Sequence, residues 1–190
     1  AAGEERFAPP PLAARGHRTG NFRAVITAVY FEGAGVHGNP RIFATGTTAT
    51  LHVRWVALAT IGSATVGIAI KDRLGQEIYG VNTAYRELPI RDVAPGQAVD
   101  VAFRMPLNLG DGLYSVTAAV HEGHDHTQGC YDWIEQALTF QVLPDPLERF
   151  TGLCRLMPEC TASVGPAAEA EQAEARRVGG SSSADGADAS

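Results

Sequence analysis

The stretch ATVGIAIKDRLGQEIYGVNTA, residues 64–84, decides the fold. Val66, Ile68 and Ile70 alternate with smaller side chains, which is the period of a half-buried strand. A second extended segment, Glu77 to Ala84, follows after Asp72-Arg73-Leu74-Gly75-Gln76. A short glycine-containing loop between two such runs reads as a β-hairpin.

The same texture runs outward in both directions. Arg23 to Tyr30, Thr47 to Leu58, Gln97 to Met105, Gly112 to His121 and Glu135 to Leu143 are the remaining candidate strands, with Ala64 to Lys71 and Glu77 to Ala84 between them. Leu51, Val53 and Trp55 fall on one face while Thr50, His52 and Arg54 fall on the other; Val99, Val101 and Phe103 group together, as do Leu138, Phe140 and Val142. Ala94-Pro95-Gly96 and Leu109-Gly110-Asp111-Gly112 supply turn chemistry. No sustained 3.6-residue apolar period interrupts this series. Short alternating strands at such spacing predict an all-β antiparallel sandwich.

The flanks differ. Residues 1–21, with Pro9-Pro10-Pro11, read as a linker, residues 22–157 as the domain, and residues 158–190 as a disordered tail of Ala, Glu, Gly, Ser and Asp, transiently helical over Ala167 to Arg177. An apolar patch, Phe150, Leu153, Leu156 and Met157, closes the domain as a last strand or a subunit contact. The start without methionine suggests a piece of a longer chain or an incomplete N-terminus. Ala1 to Arg6 does not form a secretory signal.

Bulk properties narrow the function. The 190 residues are 45% hydrophobic and 19% charged, with net charge −6 and an isoelectric point near 5.5. Without a Lys/Arg run, nucleic acid is not an expected partner. No stretch reaches the roughly 20 apolar residues of a spanning helix. Three cysteines, Cys130, Cys154 and Cys160, are too few and too uneven for a disulfide scaffold and read as free thiols.

Candidate chemical motifs are sparse. Gly33-Ala34-Gly35-Val36-His37-Gly38 matches a dinucleotide glycine pattern, but Asn39-Pro40 follows where a helix must begin, so it reads as a loop. Neither a phosphate loop nor a nucleophile elbow occurs, and no cofactor is expected. His121-Glu122-Gly123-His124-Asp125-His126 is dense enough in imidazole to raise zinc or nickel binding, which gives a metal-dependent enzyme using His121, His124 and His126 as a third reading. It lacks a distant ligand partner and reads as a polar loop. Asp72, Glu77, Asp111 and Asp132 sit at turns or strand edges and read as solvated, so no carboxylate pair for glycoside hydrolysis stands out. Aromatics at strand edges are more telling. Sugar rings stack apolar C–H faces on aromatic side chains while their hydroxyls need donors and acceptors. Tyr79, Tyr85 and Trp133 are the candidate platforms; Arg54, Asn82 and His121 are the candidate polar partners. Trp55 reads as core.

Residues 66–83 of the hairpin, Ala94-Pro95-Gly96, Gly112-Leu113-Tyr114-Ser115-Val116 and the run from Tyr131-Asp132-Trp133 to Val142 resemble, in that order, the C-terminal carbohydrate-binding domain of Wzt-type proteins, the ATP-binding components of bacterial O-antigen exporters. The resemblance implies an immunoglobulin-like sandwich, dimeric, tethered to a nucleotide-binding domain and acting with the membrane domains at the cytoplasmic face of the inner membrane. It implies non-catalytic recognition of the modified non-reducing end of a finished O-polysaccharide. The alternative is a module that dimerises or docks the exporter without touching sugar.

Overall fold

The computed structural model describes residue 12 and residues 16–33, 39–123, 129–147, 149–162, 164, 166 and 168–180. Among the described residues, ten strands lie in the unit formed by residues 1–156: β1 (Arg18–Thr19), β2 (Ala24–Phe31), β3 (Ile42–Ala44), β4 (Thr48–Ala57), β5 (Ile61–Lys71), β6 (Glu77–Asn82), β7 (Ile90–Val93), β8 (Ala98–Pro106), β9 (Gly112–His121) and β10 (Cys130–Leu143). They form an antiparallel β-sandwich of the immunoglobulin-like kind. One sheet runs β1-β10-β9-β5-β6, with β3 added beside β10 and β7 beside β5; the other is β2-β4-β8. The β3–β10 pairing is parallel.

Alternation builds the core as expected. Leu51, Val53, Trp55, Val101 and Phe103 point inward from the small sheet and meet Val66, Ile68, Ile70, Val116, Phe140 and Val142 from the large one. Each such side chain taken from water contributes about 1.5–3 kcal/mol. Phe31 lies edge-on to Phe43 and to Phe140, at 4.7 and 5.2 Å between centroids. Trp55 is fully buried, and its indole N–H lacks a hydrogen-bond partner among the described residues.

The hairpin at 64–84 closes as its residues dictate. The Asp72 carboxylate accepts the backbone N–H groups of Leu74 (2.8 Å) and Gln76 (2.9 Å), and Gly75 takes φ of 81°, a conformation open to glycine at no steric cost.

Three strands had no expectation. β1, β3 and β7 are two to four residues long, too short to show a period. β1 lies in the stretch read as linker, and it pairs with β10, Arg18 opposite Ile134 and Thr19 opposite Trp133. β10 begins at Cys130, not Glu135, because a bulge interrupts its pattern. Its ladder to β9 jumps from Ile134↔Ala118 to Leu138↔Val116. Gln136 stands at an inward parity, yet φ of 48° turns it out to solvent.

Asp132 corrects the expectation of a solvated carboxylate. It has the inward parity of Ile134 and is fully buried. Its oxygens accept from Arg18 Nε (2.9 Å), Arg18 Nη2 (2.6 Å) and the Ile26 backbone N–H (2.7 Å). A buried carboxylate persists only when paired and hydrogen-bonded in this way. The spacing in sequence, 114 residues, hid the partner.

The second unit, residues 157–190, contains α1 (Glu169–Gly180). Glu171 reaches back to the Ala168 backbone N–H (2.8 Å), half of a capping box, and Arg177 pairs with Glu174 (2.6 Å). Among the described residues no helix is long and apolar enough to cross a membrane.

Candidate functional site

The outer face of the large sheet carries small side chains at its centre. Behind Val66, Ile68 and Ile70 the outward positions of β5 are Gly67 and Ala69. Gly80 of β6 lies opposite Ala69, and Asn82 lies opposite Gly67. On the other side Ala119 and Thr117 of β9 pair with Gly67 and Ala69. Small residues in register across three strands leave a trough of about 280 Å³. Trp133, opposite Ala119 on β10, walls one side. Asn82 and Tyr85 line the other, while His121 and Glu77 also border it.

Four of the six expected residues therefore come together: Asn82, Tyr85, His121 and Trp133. Asn82 Oδ1 accepts the Tyr85 backbone N–H at 2.8 Å, which sets the turn carrying the exposed Tyr85 ring. His121 is buried at the end of β9, its Nδ1 3.3 Å from the Glu122 carbonyl oxygen. Cys130 pairs with His121 in the ladder. Burial pushes its thiol up from the ordinary value, the Asp132 charge adds to this, and a backbone hydrogen bond opposes it.

The other two stand elsewhere. Tyr79 pairs with Ile70 and lies three positions from Asn82 on a two-residue period, so it stands on the other side of β6 from Asn82, exposed at the sheet edge. Its hydroxyl is 3.4 Å from Arg86 Nη2. Arg54 is on the small sheet. There Tyr30 and His52 stack at 4.9 Å, His52 Nδ1 lies 2.9 Å from Asp100 Oδ1, and Arg54 reaches Asp100 Oδ2 at 3.8 Å. Tyr30 also donates to Asp100 (3.4 Å), and burial, then the Asp100 charge, raises its phenol. His124, Asp125 and His126, and residues 34–38 of the glycine pattern, lie outside the described residues.

Sequence reading missed the floor, although its signal was present: Gly67 and Ala69 alternate with Val66, Ile68 and Ile70. It also missed Thr117. This residue is 2% exposed, and its hydroxyl is buried without a hydrogen-bond partner among the described residues. Glu77 is the single carboxylate among the described residues lining the trough.

The family model described as the Wzt C-terminal domain matches residues 15–156. The chain belongs to the Wzt C-terminal domain family. Among solved structures, the crystal structure of the C-terminal domain of wzt is similar at a TM-score of 0.70 and 22% identity, over 81% of this chain and 92% of that one, and shares its fold. A Niemann-Pick type C2 protein from Japanese carpenter ant matches at a TM-score of 0.42 and 2% identity, over 72% of this chain and all of that one; so low a similarity says nothing further about this Wzt C-terminal domain. No curated protein sequence matches the chain. Membership sets the domain in the context of an O-antigen ABC transporter and agrees with a module other than the catalytic one.

Proposed function

We propose that this Wzt C-terminal domain is a non-catalytic carbohydrate-binding module that recognises the modified non-reducing end of an O-antigen polysaccharide for export. The trough carries the reading. Its apolar floor and the Trp133 and Tyr85 rings offer surface to the C–H faces of a sugar, while Asn82 and Glu77 offer donors and acceptors to its hydroxyls. The groove, in this reading, binds its ligand without changing it. In this reading the module works as a homodimer at the cytoplasmic face of the inner membrane, beside the transporter's nucleotide-binding and membrane domains.

Titration calorimetry with capped and uncapped O-polysaccharide tests it. The capped chain should bind more tightly, and Trp133→Ala should weaken binding at least about tenfold, as expected when a stacking aromatic is lost. Equal affinity for both chains refutes end recognition. The docking alternative draws on Leu147 and Leu156, which are 96% and 83% exposed. It expects self-association that Leu156→Glu abolishes, with no saccharide binding.

A further inference from the structure

A second hollow of about 350 Å³ continues along the same face. Lys71, Arg73, Ser115, Glu135, Gln136 and Thr139 are among its lining residues. Thr117 lines both hollows. They are consecutive stretches of one groove, since the ladder steps along β9 from His121 through Ala119 and Thr117 to Ser115 and Leu113. At about 3.3 Å per residue that path is roughly 25 Å long, well beyond a single hexose ring.

Three observations meet at the junction. The β10 bulge lies opposite Thr117, the one β9 residue between Val116 and Ala118 that the β10 ladder skips. On its other side Thr117 faces Ala69, whose methyl offers no acceptor. The hydroxyl is thus left buried and unpartnered, a state costly enough that native proteins seldom keep it without a reason. Gln136, in the bulge, holds a left-handed φ of 48° that a glutamine adopts only at a cost, and this places it at the second hollow. Bulges of this kind re-aim side chains beside binding sites.

We propose that the groove holds at least two consecutive sugar residues of the glycan. The terminal one lies against Trp133 and His121. The next crosses the bulge between Lys71 and Gln136, and the Thr117 hydroxyl, closed off until the glycan enters, turns to bond to a ligand oxygen at the junction. This rests on the carbohydrate-binding function proposed above and sets the minimal ligand as a disaccharide segment.

The test uses the terminal one-, two- and three-residue fragments of the glycan that the protein binds most tightly on an array of bacterial surface oligosaccharides. Passing from one residue to two should tighten binding about tenfold or more in calorimetry, the worth of one or two added hydrogen bonds. Thr117→Val, which keeps the shape and removes the orphan hydroxyl, should abolish most of that gain without lowering the melting temperature. Gln136→Gly, which relaxes the bulge, should weaken the disaccharide and leave the monosaccharide unchanged. Equal affinity for one and two residues, or wild-type disaccharide binding by both variants, overturns the two-residue groove and leaves the carbohydrate-binding function standing. No binding by any glycan or fragment overturns both.

Discussion

Removing Arg18 from beneath the buried Asp132 carboxylate should be among the most damaging single changes outside the apolar core. Asp132 is fully buried, and two of its three hydrogen bonds come from one guanidinium at 2.9 and 2.6 Å. Deleting one partner of a buried ion pair costs about 3–5 kcal/mol, because the remaining charge stays uncompensated. The Arg18 side chain is 33% exposed, so water replaces part of what is lost and the lower end applies. Arg18→Met, which keeps the aliphatic stem, should cost about 3 kcal/mol. Asp132→Asn can still accept from Ile26 N but turns an amide N–H2 toward the guanidinium, and should cost about 2–3 kcal/mol. The double variant Arg18→Met/Asp132→Leu, with no charge left to bury, should be more stable than the sum of the single losses by about 2 kcal/mol. Urea unfolding followed by the fluorescence of the buried Trp55 reads these values as midpoint shifts of about 1–2 M at an ordinary slope. Losses below about 1 kcal/mol in both single variants, or simple additivity, would refute the pairing as the latch that holds β1 on β10.

Gly67→Val should raise stability by up to about 1 kcal/mol, since a β-branched side chain suits a strand. Its Cβ meets Asn82 Cβ at an ordinary 3.5 Å. It also fills the trough, so glycan affinity should fall at least about tenfold, and unchanged binding would remove the trough as the site. The raised Cys130 thiol holds less thiolate at neutral pH, so iodoacetamide should modify the exposed Cys154 and Cys160 first, with the gap closing as pH rises. Peptide mass spectrometry checks this, and equal rates at pH 7 contradict it. Trp55→Phe discards an unpartnered buried donor and should cost about 1–2 kcal/mol, against about 3–5 for Trp55→Ala; thermal melts of the two distinguish these outcomes.

Where local chemistry suffices, the residues alone carry the answer. Leu51, Val53 and Trp55 on one strand and Val66, Ile68 and Ile70 on another announce their buried faces through a two-residue period that needs no partner. The Asp72–Gln76 turn is likewise local, closed by a carboxylate bonding to N–H groups two and four residues on. These features determined the strand content, the sandwich and the hairpin beside which the trough lies. The period also separates Tyr79 from Asn82, a consequence legible in the chain itself.

Tertiary structure decided what depends on contacts distant along the chain. Asp132 looks like a surface residue until Arg18, 114 positions away, supplies the charge that permits its burial. Gln136 breaks the apolar run of β10 until the bulge turns it outward. The gathering of Trp133, His121, Asn82 and Tyr85 depends on strand order, which puts β10, β9, β5 and β6 side by side while leaving Arg54 in the opposite sheet. Alternation states which way a side chain points from its own strand. Which strand lies next to it is settled by long-range pairing and shared packing, and no short window of sequence contains that.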